Sequence, residues 1–393
     1  MVAAGTAQAE PLRLRADALA TTSSPAGLLV LEADGEPTEG TLAEAVVWTA
    51  GSRELGDASG DVLVATIHGR SENGRIEGRL GRFVSTLGAL RPIHLDGGTG
   101  HVRLPKRFDL ELVSGMPVLA VATDELMGSI TTERAWDWYV GGRISRRLGE
   151  WGAVGVAYGQ QRDYGRKAME ELAVDTGLTL GKRSDVGARL AYDLANPGVA
   201  EAAMTATYRT KSVRTDIYLS QRAASHLVPA TSLFSVIGDV PSQRAGVLAT
   251  YKFAPRLDLI ADVGARRIAA STEMTDDEYG VELTGRARLR LDDRGASALT
   301  GELRRSGVGT DTWTGLRGAA RIALPRKLSV ATELELVIQD DDHGRGSVWP
   351  WALAALAGER GRWQAAVAVE ASATPEYSRR FDVLGQLSRR WGR

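Results

Sequence analysis

Polar and apolar positions alternate along most of this chain. Between Val281 and Asp292, the residues Val281, Leu283, Gly285, Ala287, Leu289 and Leu291 fall on one face of an extended segment, and Glu282, Thr284, Arg286, Arg288, Arg290 and Asp292 fall on the other. Successive strand side chains point to opposite faces, so a period of two marks a strand with one apolar and one wetted face. The pattern recurs at Leu257, Leu259, Ala261, Val263 and Ala265 against Asp258, Asp262 and Arg266. It recurs again at Leu328, Val330, Leu334, Leu336 and Ile338 against Ser329, Glu333, Glu335 and Gln339. Residues 185–194 and 363–372 repeat it, and weaker versions cover 12–18, 108–118, 199–209, 213–222, 243–253 and 312–324. Turn formers separate the runs, among them Asn73-Gly74, Leu104-Pro105-Lys106, Asn196-Pro197-Gly198, Ala254-Pro255, Asp292-Asp293-Arg294-Gly295 and Leu324-Pro325. Such spacing predicts a meander of antiparallel hairpins.

Many runs extend ten to thirteen residues, beyond the ~5–6 of a globular strand and close to the ~9–11 of a tilted strand crossing a bilayer. A soluble β-sandwich also alternates, but so many long strands in one sandwich would split or curl, and the polar faces here carry many charges of both signs, as suits a wet interior. The expected fold is therefore all-β: a single antiparallel up-and-down transmembrane β-barrel over residues 10–393, with about 18 strands in a range of 16–22. Aromatic residues near run ends fit the two interfacial girdles of such a barrel: Trp136, Trp138, Tyr139, Trp151, Tyr164, Tyr208, Tyr251, Phe253, Tyr279, Trp313, Trp349, Trp351 and Trp391.

Composition removes several alternatives. Of 393 residues none is cysteine, so disulfides, thiolate nucleophiles and cysteine-based zinc sites are absent together. The net charge of −1 provides no field to recruit nucleic acid. No apolar run reaches the ~18–20 residues of a spanning helix; the richest, Trp349–Ala357, is short and holds Pro350. At the start, Ala7-Gln8-Ala9 has the small-x-small form of a signal-peptidase site without the basic and apolar segments that precede one. Residues 1–9 are read either as a signal remnant or as a disordered, alanine-rich terminus.

Candidate chemistry is sparse. His94 and Asp96 share a strand face, as a base and its orienting carboxylate would, but no nucleophile accompanies them, and a hydrogen-bonded structural histidine is the plainer reading. Gly177–Ser184 imitates a phosphate loop, yet its glycines are one residue too close and Arg183 follows Lys182 where a hydroxyl residue belongs. Asp340-Asp341-Asp342 and Asp276-Asp277-Glu278 offer oxygen ligands without an EF-hand spacing and read as solvated loops. No enzyme, cofactor or metal site is expected. The longest weakly patterned connection, 222–242, carries His226, Phe234 and Asp239; it folds inward as a constriction loop or lies on the surface.

One stretch is familiar: Gly78-Arg79-Leu80-Gly81-Arg82-Phe83, then Gly88-Ala89-Leu90-Arg91-Pro92-Ile93-His94-Leu95-Asp96-Gly97, ending in Gly115-Met116-Pro117-Val118. It resembles porin-like bacterial outer-membrane β-barrels, above all myxobacterial ones associated with polysaccharide export or gliding machinery. The quoted residues cover about a tenth of the chain; beyond them the resemblance is one of pattern. It implies an outer-membrane location, surrounding lipid and lipopolysaccharide, and partners among periplasmic export or motility components. Such barrels commonly end on an aromatic residue; here Trp391 is followed by Gly392-Arg393.

These readings converge on an outer-membrane channel for a hydrophilic polymer such as polysaccharide, or else on a closed scaffold barrel of an envelope machine. The expected lumen wall holds Asp262, Arg266, Glu282, Arg286, Arg288, Arg290, Glu302, Arg304, Arg317, Arg321, Glu333 and Glu335. A hydrated wall of mixed sign offers many weak contacts and no deep well, as passage requires.

Overall fold

The computed structural model describes residues 13–22, 26–38, 40–52, 58–118, 121–122, 130–131, 137–163, 165–223, 242–270, 276–309, 311–340, 348–373 and 379–391. The chain begins with β1 (Arg13–Thr21), β2 (Ala26–Thr38), β3 (Thr41–Ser52), β4 (Ala58–Arg70), β5 (Ile76–Ser85), β6 (Ile93–Leu104) and β7 (Phe108–Pro117). A separate two-residue pair, β8 (Val121–Ala122) with β9 (Ile130–Thr131), interrupts the series. Then follow β10 (Trp138–Arg147), β11 (Gly152–Asp163), β12 (Arg166–Leu180), β13 (Ser184–Asp193), β14 (Gly198–Arg209), β15 (Val213–Arg222), β16 (Ser242–Ala254) and β17 (Leu257–Ile268). The last are β18 (Glu278–Arg290), β19 (Ala298–Val308), β20 (Asp311–Leu324), β21 (Leu328–Gln339), β22 (Val348–Arg360), β23 (Trp363–Ser372) and β24 (Arg380–Trp391).

Each barrel strand pairs antiparallel with its neighbours in sequence, β7 passing directly to β10, and β24 returns to β1 from Leu14↔Trp391 to Thr21↔Leu384. The sheet is a closed ring of 22 strands. Closure removes both sheet edges, which a bilayer demands because it offers no water to an unpaired backbone group. The up-and-down barrel agrees with the alternation, but the strand count exceeds the expected 18. The reason is the brevity of several connections: 164–165, 255–256, 309–310 and 361–362 are two residues each, so one strand and its turn consume less chain than assumed. Residues 1–9 lie outside the described residues.

The two rims differ. At the rim bearing both chain ends the connections are tight, none longer than the turn 291–297. At the other rim run 86–92, 118–137, 223–241, 269–277 and 340–347. Short turns face the periplasm and long loops the outside in this class of barrel. Two of the short turns echo one another, Leu104-Pro105-Lys106-Arg107 and Leu324-Pro325-Arg326-Lys327, each holding its basic pair at φ between 59° and 66°.

Outside, the wall is apolar. Leu80, Leu334, Ile67, Leu316 and Leu303 are each more than half exposed, and such a continuous belt is stable only against hydrocarbon. Exposed aromatic residues bound it: Trp138, Tyr158, Tyr192, Tyr279 and Phe381 toward the long-loop rim, and Trp151, Tyr208, Tyr251, Phe253 and Trp363 toward the short-turn rim. Of the residues expected in the girdles, Trp136 and Tyr164 lie outside the described residues, and four of the described ones are elsewhere. Tyr139 is buried inside the barrel, and Trp313, Trp349 and Trp351 lie on the face opposite the exposed leucines of their strands. Period two alone decides the face, and it overrides an aromatic side chain's preference for the interface.

Candidate functional site

The charged face of β16–β21 forms an ion-pair lattice on the inside of the barrel. Asp262 accepts from Arg244 at 3.1 Å, and Glu282 is held by Arg244 at 3.0 Å and by Arg266 at 3.3 Å. Glu302, almost fully buried, is clasped by Arg286 and by Arg304 Nε at 3.1 Å. Arg304 also reaches Glu335, and Arg317 donates to Glu333 at 2.5 Å. Arg290 lies 3.7 Å from Asp258. Arg288 and Arg321, both exposed, make no ion pair among the described residues. The expected wall residues thus fall on one face of adjacent strands, most of them neutralised in pairs.

Several of these bonds skip a strand. Arg304 on β19 meets Glu335 on β21 across Gly315 of β20, and Arg143 on β10 meets Asp175 on β12 at 2.6 Å across Gly155 of β11. A Cβ at Gly155 would lie 2.6 Å from the Arg143 guanidinium. Tyr218 of β15 donates to Asp262 of β17 at 2.8 Å over Gly246 in the same manner. On a concave wall side chains converge, and a glycine in the middle strand lets the long side chain lie flat.

The interior also holds an apolar patch, which the alternation did not reveal. Residues 86–92, between β5 and β6, turn inward from the long-loop rim. The turn closes with the Leu90 amide donating to the Leu87 carbonyl at 3.0 Å, and Gly88 sits at φ 56°, a conformation that suits glycine. Leu87 and Leu90 pack with Phe83, Ile93, Leu95, Val113, Tyr139, Met169 and Ala173 in one buried cluster. Gly141 and Gly159, paired across β10 and β11, form the floor; Cβ atoms there would overlap Leu87, Leu90 and the Tyr139 hydroxyl. Arg91 pins the far side through Glu171 at 2.9 Å, a carboxylate buried completely on β12. Burying two leucines contributes roughly 1.5–3 kcal/mol each, enough to hold a short segment against the wall. Here then is an inward segment, formed by the residues whose sequence is familiar. The sequence signal was available: the stretch between Ser85 and Ile93 carries Leu87, Ala89 and Leu90.

The remaining candidates separate. His226, Phe234 and Asp239 of the expected constriction loop lie outside the described residues. His94 makes no bond to Asp96: its Nε2 meets the Leu63 carbonyl at 2.8 Å, while Asp96 takes Arg82 at 2.7 Å. The imitation phosphate loop is the turn 181–183 between β12 and β13. Asp340 pairs with Arg305, and Asp277 with Arg267 at 2.6 Å. Among the described residues no group of acidic and histidine side chains is placed to hold a metal ion.

No protein-family model matches the chain, and no curated protein does. Solved structures with the same fold exist. The ferric enterobactin receptor PfeA of Pseudomonas aeruginosa superposes with a TM-score of 0.58 at 8% identity, over 97% of this chain and 81% of the receptor. The siderophore receptor PirA of the same organism gives 0.56 at 10% identity, over 97% and 80%. A chain of the E. coli P pilus tip assembly intermediate gives 0.52 at 10% identity, over 100% and 62%. At such identities the likeness is one of fold. Together with the closed ring and the apolar belt it makes this chain a bacterial outer-membrane β-barrel.

Proposed function

We propose that this barrel is an outer-membrane channel for hydrophilic solutes, narrowed on one side by the segment 86–92. The observation that carries the reading is the ion-pair lattice of the inner wall. Its charges neutralise one another at Glu302, Glu282 and Glu333, so the wall presents dense hydrogen-bonding capacity without a strong field. A hydrophilic polymer such as a polysaccharide, sliding from one weak contact to the next, is the cargo this chemistry suits best. A ring of 22 strands encloses a lumen wider than side chains alone fill.

Planar-bilayer recording tests the channel. The purified barrel is expected to conduct, and Arg288→Glu with Arg321→Glu to shift the reversal potential toward cations, because these two guanidinium groups have no carboxylate partner among the described residues. Dextran oligomers of increasing length, added to one side, are expected to produce transient blockades. A barrel that inserts and never conducts, even with 86–92 replaced by a tight Asn-Gly turn, would overturn the channel and leave the second reading, a closed scaffold. That reading is favoured by one observation, the apolar cluster that the inward segment builds inside the barrel.

A further inference from the structure

The wall is not zipped along its whole height. β4 and β5 pair from Arg70↔Glu77 up to Ala65↔Arg82 and no further, although β4 continues through Ala58–Val64 and β5 through Phe83–Ser85. The flanking seams carry on: β3 pairs with β4 up to Gly51↔Ala58, and β5 with β6 up to Ser85↔Ile93. The two strands part at Gly81, whose φ of 123° bends β5 where a Cβ would strike the Ala65 carbonyl.

Side chains replace the missing ladder. Arg82 Nη1 donates to the Val62 carbonyl at 3.1 Å and to Asp61 at 3.0 Å, while its other nitrogens hold Asp96 at 2.7 and 2.9 Å. The His94 imidazole meets the Leu63 carbonyl at 2.8 Å. Arg82 and His94 share the outward face of β5 and β6 with Leu80 and Val84, which are 69% and 52% exposed. On the inward face of the same strands stand Phe83, Leu95 and Ile93, in the buried cluster completed by Leu87 and Leu90. One broken seam, near the long-loop rim, is therefore all that separates an apolar interior patch from the lipid belt.

We propose that the upper β4–β5 seam is a lateral portal, through which the acyl chain of an amphipathic molecule passes between the outer leaflet and the apolar patch behind the inward segment. The occupant is a lipid-like molecule because both ends of the path are apolar: Leu63 and Val84 outside, Phe83 and Leu90 inside. The mouth offers its polar head a guanidinium, two carboxylates and an imidazole. Opening requires only rotamer changes at Arg82 and His94, since no inter-strand backbone bond spans the gap. Pairing on either side keeps the barrel closed elsewhere.

The chain lacks cysteine, so a single introduced thiol reports cleanly. In Leu90→Cys barrels reconstituted in vesicles, a maleimide carried on a long alkyl chain, and so confined to the bilayer, is expected to modify the thiol. Arg82→Ala removes both bonds that Arg82 makes across the seam, to Asp61 and to the Val62 carbonyl, and is expected to raise that rate at least about tenfold and to leave the rate with a water-soluble maleimide unchanged. His94→Ala serves if Arg82→Ala does not fold, and Phe83→Cys replaces the reporter if Leu90→Cys does not. No reaction from the bilayer in any background overturns the portal. Equal acceleration of both reagents overturns it too, since that marks general loosening. Conductance is not part of the readout, so the portal and the channel stand or fall separately.

Discussion

At the scale of single residues, the barrel is governed by which face of a strand a side chain occupies. Leu289 and Arg288 are adjacent in sequence and opposite in environment, the first on the apolar belt and the second on the inner wall. Leu289→Arg is expected to block assembly, a cation facing mid-bilayer on a barrel costing ~2–4 kcal/mol, whereas Arg288→Leu removes one solvated charge and still folds. The yield of folded protein in detergent measures both, and equal effects would refute the assignment of faces. Asp277, in the loop 269–277, accepts from the Ala270 amide at 2.9 Å and from Arg267 at 2.6 Å. The Ala270 amide first, then Arg267, hold its carboxyl below the usual carboxylate range. A depressed carboxylate pKa supports the folded loop above its unfolded value and ceases to do so as pH falls through the folded one. Protease nicking in this loop is therefore expected to stay constant from pH 7 to about 5 and to rise below about 4; a rise near pH 6 would contradict it.

At the scale of elements, the inward segment and the wall glycines belong together. Gly141 and Gly159 make room, Leu87 and Leu90 fill it, and Arg91 locks the arrangement on Glu171. Gly159→Val places methyl groups where the Tyr139 hydroxyl and Leu90 now lie, so the segment is expected to leave the wall. Hydrogen exchange over 86–92 would then increase, and unitary conductance would rise if the lumen is the conducting path. Unchanged exchange would show that the glycine floor is dispensable. The skipped-strand bonds were not legible in sequence because Arg143 and Asp175 belong to strands that are not neighbours; only sheet curvature brings them within 2.6 Å. By contrast Arg286 with Glu302 and Arg317 with Glu333 sit on consecutive strands. Their common wall follows from alternation and the meander.

At the scale of the whole molecule, closure is the dominant fact. β24 completes the ring on β1, where Ser388 also bonds to the buried Asp17. Intact protein is expected to migrate faster on a gel before heating than after, with circular dichroism dominated by β-structure. Removal of residues 380–393 leaves β1 and β23 as open edges in hydrocarbon, and the compact band is expected to vanish. Persistence of that band would mean the ring closes some other way. The strand number was not legible from the alternating runs alone: β2, β3 and β4 alternate poorly, and β22, Val348–Arg360, reads as an alanine-rich apolar run rather than as a pattern of two.

The sequence by itself determined the strand class, the antiparallel order and the faces of the clearest strands, because these depend on a local period and on turn residues a few positions away. It also determined that the wall carries both signs of charge, since Glu282, Arg286 and their neighbours share one parity. The tertiary structure alone decided how many strands close the ring, because closure depends on the register of every seam together. It alone decided that 86–92 lies inside and that the β4–β5 ladder stops at Ala65↔Arg82. Both depend on groups far apart in the chain, Glu171 and Met169 for the segment, Asp61 and Asp96 for the seam. Local periodicity carries no information about such meetings; the curvature of the closed wall supplies it.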